Sequence, residues 1–186
     1  LLSLIERLPL AECGQVKAVR ALNRLMPHGD WYGEALGIKM SDEESGELTL
    51  AFSMLDISGK SLEGEFDSRC PICATKENTI DVIREKMKAD GISFNTEEMK
   101  PPHHVPADSD FVKTLLSAYE KYSGRKGECI AIGGGTYVHD LKNGVAFGAA
   151  LPETENHMHG PDEFAVVDEL TMSAKIFAQV IVDLCC

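Results

Sequence analysis

Apolar positions along the chain switch between two periods, and the switches mark its elements. Leu1, Leu4, Ile5 and Leu8 fall at helical spacing, and Val16, Val19, Leu22, Leu25 and Met26 repeat that spacing after a break at residues 9–14. Pro27-His28-Gly29-Asp30 ends the second helix. A mixed segment follows, then a turn over residues 42–46 whose acidic run, Asp42 to Glu44, is expected to face solvent. Leu48, Leu50, Phe52 and Met54 alternate with Thr49, Ala51 and Ser53, the period of a half-buried strand. A turn at residues 58–60 leads into a second strand over 62–70, which would pair antiparallel with the first.

Pro71 stops the pairing. Residues 78–91 predict an amphipathic helix with Ile80, Ile83 and Met87 on its apolar face and Gly91 just past its end. Residues 92–99 predict a third strand. Pro101, Pro102 and Pro106 mark a link, and Asp108 or Ser109 is placed to cap a helix ending at Gly124. Residues 128–137 predict a buried strand running into a glycine loop, and residues 143–152 another short strand. The C-terminal helix follows over 166–184. The pattern therefore predicts an α+β part with an antiparallel sheet carrying helices on one face over 1–106. An α/β segment over 107–186 follows it.

Composition narrows the possible functions. With 186 residues and 44% apolar content the chain can bury a core, which argues against intrinsic disorder. Lys plus Arg number 18 against 30 Asp plus Glu, a net charge of −12 that argues against a nucleic-acid partner. The apolar runs are shorter than the ~20 residues that span a bilayer, so no membrane partner is expected. No basic stretch precedes a long apolar run at the start, and six cysteines are too few for a disulfide scaffold of this size. A reducing cytoplasm is the expected compartment. No capping residue precedes Leu1, so the chain is expected to start inside a helix of a longer protein, although Ser3 is placed to cap a shorter helix.

Four groups of residues carry candidate chemistry. Gly133-Gly134-Gly135-Thr136 lets a backbone approach a ligand closely, or else makes a tight strand exit. His157 and His159, in the run NHMHGPDEF, suit zinc if the segment is extended and both face one way, or else are exposed loop histidines. Cys70-Pro71-Ile72-Cys73 has the spacing of half a zinc site or a redox pair, but no second cysteine pair completes it. Arg69 closes the second strand with a guanidinium suited to a carboxylate, or is an exposed strand-end residue. His103 and His104 read as a linker pair.

Together, AIGGGTY, GVAFG, HGPDEF, FDSRCP and the prolyl link to SAYEKYSG resemble the C-terminal portion of dizinc dipeptidases of the PepV type. These belong to the wider aminoacylase and carboxypeptidase G2 metallopeptidase family. The resemblance covers nearly the whole chain. It implies the latter part of a ferredoxin-like lid domain, followed by the closing segment of an α/β zinc-peptidase domain. It further implies that Arg69 holds the carboxylate end of the substrate, although Cys70 stands where an aromatic residue is usual. Gly134, Gly135, Thr136 and Tyr137 match the loop beside the bound peptide, and His159 matches the last metal ligand, whereas His157 has no counterpart.

The family's other ligands, its catalytic Glu and its lid His lie upstream of any matching residue. The resemblance therefore implies a portion of a metal-dependent dipeptidase, inactive by itself, with two zinc ions, or manganese or cobalt, in the parent enzyme. Its expected partners are a dipeptide or short peptide and the remainder of the parent chain. The alternative is a non-catalytic peptide-binding or assembly module of the same ancestry, and a small CxxC zinc protein is a third reading.

Overall fold

The computed structural model describes residues 2–59, 61–148 and 151–186. Helix α1 spans Leu2–Glu6 and α2 spans Gly14–Leu25. Two short strands, β1 (Ser41–Asp42) and β2 (Gly46–Glu47), flank the acidic turn as an antiparallel pair. The long hairpin of β3 (Thr49–Ser58) and β4 (Ser61–Arg69) follows, then α3 (Ile80–Ala89) and α4 (Asp110–Ser123). A single 3-10 turn covers Tyr137–Asp140, and α5 covers Val167–Cys185. The mixture of helices and small antiparallel sheets is α+β.

The chain divides into two compact units, Leu1–His103 with Ala131–Gly134, and His104–Ile130 with Gly135–Cys186. In the first, β3 and β4 pair antiparallel, with Leu50 opposite Ser68 and Phe52 opposite Phe66, and a register shift between Phe52 and Met54. That shift explains why Leu55 turns toward the core with Leu50 and Phe52 whereas Met54 is exposed: the extra residue reverses the inward parity. Leu2 of α1, Val19, Leu22 and Leu25 of α2 and Ile83 and Met87 of α3 join Leu48 and Leu50 in one core. The helices thus cover one face of the hairpin, as the alternation predicts.

The mixed segment between α2 and β1 supplies the centre of this core, with Leu36 and Ile38 fully buried. It is folded by Asp30, whose carboxylate accepts from Ala35 N at 2.8 Å, Glu34 N at 3.0 Å and Tyr32 N at 3.3 Å. Burial works against the Asp30 charge, but these backbone donors outweigh it and hold its carboxyl below the usual range. Gly33 is required here: its φ is +69°, and a Cβ would lie 2.5 Å from Ile38 Cγ1.

Three predicted strands do not form. Residues 92–99 carry no ladder: Ile92 N bonds back to Met87 O at 2.9 Å and Thr96 O accepts from Arg84 Nη2 at 2.9 Å. Phe94 instead stacks on Phe66, centroids 5.8 Å apart. The described strands form two separate antiparallel pairs. Residues 128–135 are not a buried strand: Ile130 is 80% exposed and Ile132 60%. No described strand pairs with them, so the segment has no ladder. The described residues of 143–152 form no strand either. Val145 and Phe147 pack on α4 and α5, and Ala149 and Ala150 lie outside the described residues.

In the second unit, Ser109 caps α4 by accepting from Val112 N at 3.3 Å. Gly124 ends it in the left-handed region at φ 68°. Leu115 and Ala118 of α4 pack on Ile176 and Val180 of α5, and Phe147 meets Phe177 edge to face at 5.4 Å. Gln179 accepts from Lys121 Nζ at 2.8 Å and from Tyr122 OH at 3.0 Å.

Candidate functional site

Arg69 is the last residue of β4 and lies opposite Thr49. Strand pleating turns Phe66 and Ser68 toward the core side, so Asp67 and Arg69 share the outer face. There Arg69 Nη2 donates to Asp67 Oδ2 at 2.9 Å, and both side chains are about half exposed, 51% and 55%. The stem of Arg69 lies against Gly133: a Cβ there would sit 3.5 Å from Arg69 Cγ and 3.6 Å from its Cβ. Arg69 and the start of the glycine loop are therefore neighbours within the first unit, although far apart in sequence. A guanidinium beside a side-chain-free backbone can receive a carboxylate without steric competition from the loop.

The exit of β4 is fixed by the acidic turn. Asp42 accepts from Ser45 N at 2.6 Å, Glu44 N at 3.0 Å and Cys73 N at 3.2 Å, and Ile72 N donates to Ser45 Oγ at 2.8 Å. The Ser45 backbone N–H, then its hydroxyl, hold the Asp42 carboxyl down to about 2. Asp42 is thus the anchor of the segment that follows Arg69 and not a solvated charge, a role that the pattern of charges alone did not reveal. Desolvation, and next the Asp42 carboxylate, push the Cys73 thiol up. Cys70 packs at the margin of the core, Cys73 is exposed, and both thiols are free.

Gly134 shares the first unit with Arg69, while Gly135, Thr136 and Tyr137 belong to the second. A Cβ on Gly135 would meet open space. Thr136 is committed locally: its N–H donates to His139 Nδ1 at 3.1 Å, and its hydroxyl accepts from Val138 N at 3.4 Å, which opens the 3-10 turn. His139, which carried no signal in the sequence, is therefore a capping partner. Tyr137 projects from the surface, 87% exposed.

His159 lies in a loop that closes on itself. Phe164 N donates to Asn156 O at 3.2 Å, Met158 N to Asn156 Oδ1 at 3.2 Å and Gly160 N to His157 O at 2.7 Å. His157, His159 and Asp162 all take left-handed backbone, at φ 56°, 63° and 57°. For non-glycine residues that conformation costs about 1–2 kcal/mol each. The expected extended segment with both imidazoles facing one way is not what forms: His157 meets Phe164 in a T-shaped contact, centroids 5.9 Å apart. His159 is exposed, and its N–H reaches Glu163 Oε2 at 3.4 Å. Among the described residues no group of three or more His, Cys, Asp and Glu side chains is arranged to hold a metal. The residues present therefore do not fit a dizinc centre within this chain, and His159 offers a single imidazole.

No helix among the described residues is long and apolar enough to cross a membrane. Residues 11–183 match the family model described as Peptidase family M20/M25/M40. A Bacillus subtilis (strain 168) protein named "Putative dipeptidase YtjP" is 40% identical over 159 residues, covering 84% of this chain and 33% of that protein. The "Beta-Ala-Xaa dipeptidase" of Lactobacillus delbrueckii subsp. lactis is 35% identical over 159 residues, with the same coverage of 84% and 33%. A "Putative dipeptidase" of Staphylococcus epidermidis (strain ATCC 12228 / FDA PCI 1200) is 31% identical over 156 residues, 83% of this chain and 33% of that protein. The chain thus spans about a third of the length of these relatives.

Proposed function

The chain belongs to Peptidase family M20/M25/M40, and on that premise we propose that it is the C-terminal portion of a PepV-type metal-dependent dipeptidase. M20 peptidases are generally zinc-dependent, and the dipeptidase relatives point to peptide substrates. In this reading the chain holds the end of the peptide and does not carry the hydrolytic centre. The observation that carries it is Arg69 on the outer face of β4, its stem against Gly133 of the glycine loop.

Arg69 binds and orients the substrate. Its fixed fork of donors matches a terminal carboxylate, and two parallel charge-assisted bonds would set the direction of the chain leaving that carboxylate. Gly134 and Gly135 leave room for the peptide backbone, and Tyr137 flanks the loop. His159 supplies one imidazole to a metal centre whose remaining ligands come from the rest of the parent enzyme. In this reading residues 1–106 are the latter part of the lid domain and residues 107–186 the closing segment of the catalytic domain. The remainder of the parent chain covers the apolar face that α5 turns to solvent at Val167, Leu170, Ile181 and Val182. Free thiols at all six cysteines support a reducing cytoplasm.

In the full-length enzyme, Arg69→Ala raises KM for a free-acid dipeptide about 10- to 100-fold, the loss of one charge-assisted contact. Its C-terminal amide is affected far less. Equal effects on both peptides would remove the clamp. The isolated 186-residue polypeptide turns over no dipeptide when zinc is added. Stoichiometric tight zinc with turnover by this polypeptide would overturn the division of labour.

A further inference from the structure

We propose that Asp67 is a built-in competitor for the Arg69 guanidinium, holding in the peptide-free chain the position that a peptide's terminal carboxylate takes. The inference rests on the carboxylate-clamp reading of Arg69 and adds to it a residue that sets how strongly, and how selectively, the clamp responds.

Three observations carry it. First, the two residues stand two apart on β4, so pleating alone places both on the outer face; Asp67 lies opposite Ala51 and Arg69 opposite Thr49. Neither cross-strand neighbour is charged, so neither offers Arg69 a second counter-ion. Second, Asp67 Oδ2 accepts from Arg69 Nη2 at 2.9 Å, a direct ion pair that uses one nitrogen of the fork. The bond is of the type a bound peptide carboxylate would make. Third, both side chains are about half exposed, 51% and 55%, and Gly133 of the flanking loop, which has no side chain, lies against the arginine stem. The pair is therefore open to exchange with a carboxylate arriving from solvent.

Exposed ion pairs of this kind are weak, because solvent screens them and ordering two side chains opposes them. Weakness is what a competitor needs. A free carboxylate that engages the fork through two bonds displaces a monodentate partner. A neutral amide does not, because it lacks the charge to replace. Asp67 also repels the incoming carboxylate for as long as it stays on the guanidinium. Exchange and repulsion act in the same direction: with Asp67 present, peptide acids bind more weakly than the bare arginine would allow. The arginine is kept oriented on the outer face until the acid arrives.

The experiment titrates this chain with alanyl-alanine and with its C-terminal amide, following the Arg69 side-chain Nε–Hε signal by NMR in the native protein, Asp67→Asn, Asp67→Ser and Arg69→Gln. Asp67→Asn and Asp67→Ser tighten the free acid about two- to fivefold, the scale of an exposed ion pair. The amide gains less. Arg69→Gln removes the preference for the acid. If Arg69→Gln removes that preference while both Asp67 variants bind the acid as the native chain does, or more weakly, the competitor role is overturned and the clamp stands. An equal gain for acid and amide overturns it as well. Unchanged acid binding in Arg69→Gln overturns the clamp itself, and so does the absence of binding by every protein in the set. Far-UV circular dichroism on each variant confirms folding, which these exposed substitutions leave intact.

Discussion

The first unit closes its core on itself, whereas the second leaves much of its apolar surface in water. In the first, three helices, a hairpin and the segment around Leu36 and Ile38 converge on one cluster. In the second, the main buried cluster among the described residues joins Leu115 and Ala118 of α4 to Ile176 and Val180 of α5, and Ile130, Val167, Leu170, Ile181 and Val182 face solvent. A helix that is apolar on two sides is built to be covered on two sides. The difference teaches that similar apolar content can specify a unit that gathers its apolar faces into one core or one that leaves many of them exposed. What decides is whether the partner surfaces lie within reach of the same stretch of chain.

The comparison is broken most severely at the centre of the first unit. Leu36→Ala empties a fully buried position and costs about 2–5 kcal/mol. Urea unfolding followed by Trp31 fluorescence reads this directly, since Trp31 is the single tryptophan and its carbonyl accepts from Leu50 N at 2.7 Å in that unit. An unchanged midpoint would mean that the core does not carry the unit. A smaller loss tests the second unit. Ser109→Ala removes the cap of α4 and costs about 1 kcal/mol, seen as faster amide exchange over the first turn.

The smallest effect is a change in the shape of the acid limb. The Asp42 carboxyl sits at about 2 in the fold against an ordinary 3.8, so between those values the folded chain binds fewer protons than the unfolded one. Its contribution to stability is present above about pH 4 and disappears as pH falls through about 2. Asp42→Asn therefore flattens the loss of stability over that window, followed by Trp31 fluorescence against pH. An unchanged acid limb would show that the turn does not anchor the exit of β4.

Much of the local structure was legible because it obeys one period. The alternation of 48–54 and the apolar faces of α2, α3 and α4 translate into burial once each element meets a neighbour. Ser109 and Gly124 could be read because capping is a property of single residues at fixed offsets. Leu36 and Ile38 were not legible, because their segment has no period and is shaped by Asp30 carboxylate bonds to backbone two, four and five residues away. Residues 128–135 misled for the opposite reason: they carry the apolar content of a buried strand, but a strand also needs another strand beside it.

The candidate site divides in the same way. Arg69 at a strand end, the glycine run and His159 were visible as residue types in a pattern. The sequence by itself therefore determined the helices, the β3–β4 hairpin, the ends of α4 at Ser109 and Gly124 and the chemical inventory, because those depend on spacing along the chain. The tertiary structure alone decided that Gly133 lies on the stem of Arg69, that Asp42 anchors the segment after it and that the loop around His159 folds back through left-handed residues. Each of these is a contact across sequence distance, or a backbone state held by contacts, and such states are selected only when the surrounding chain has closed around them.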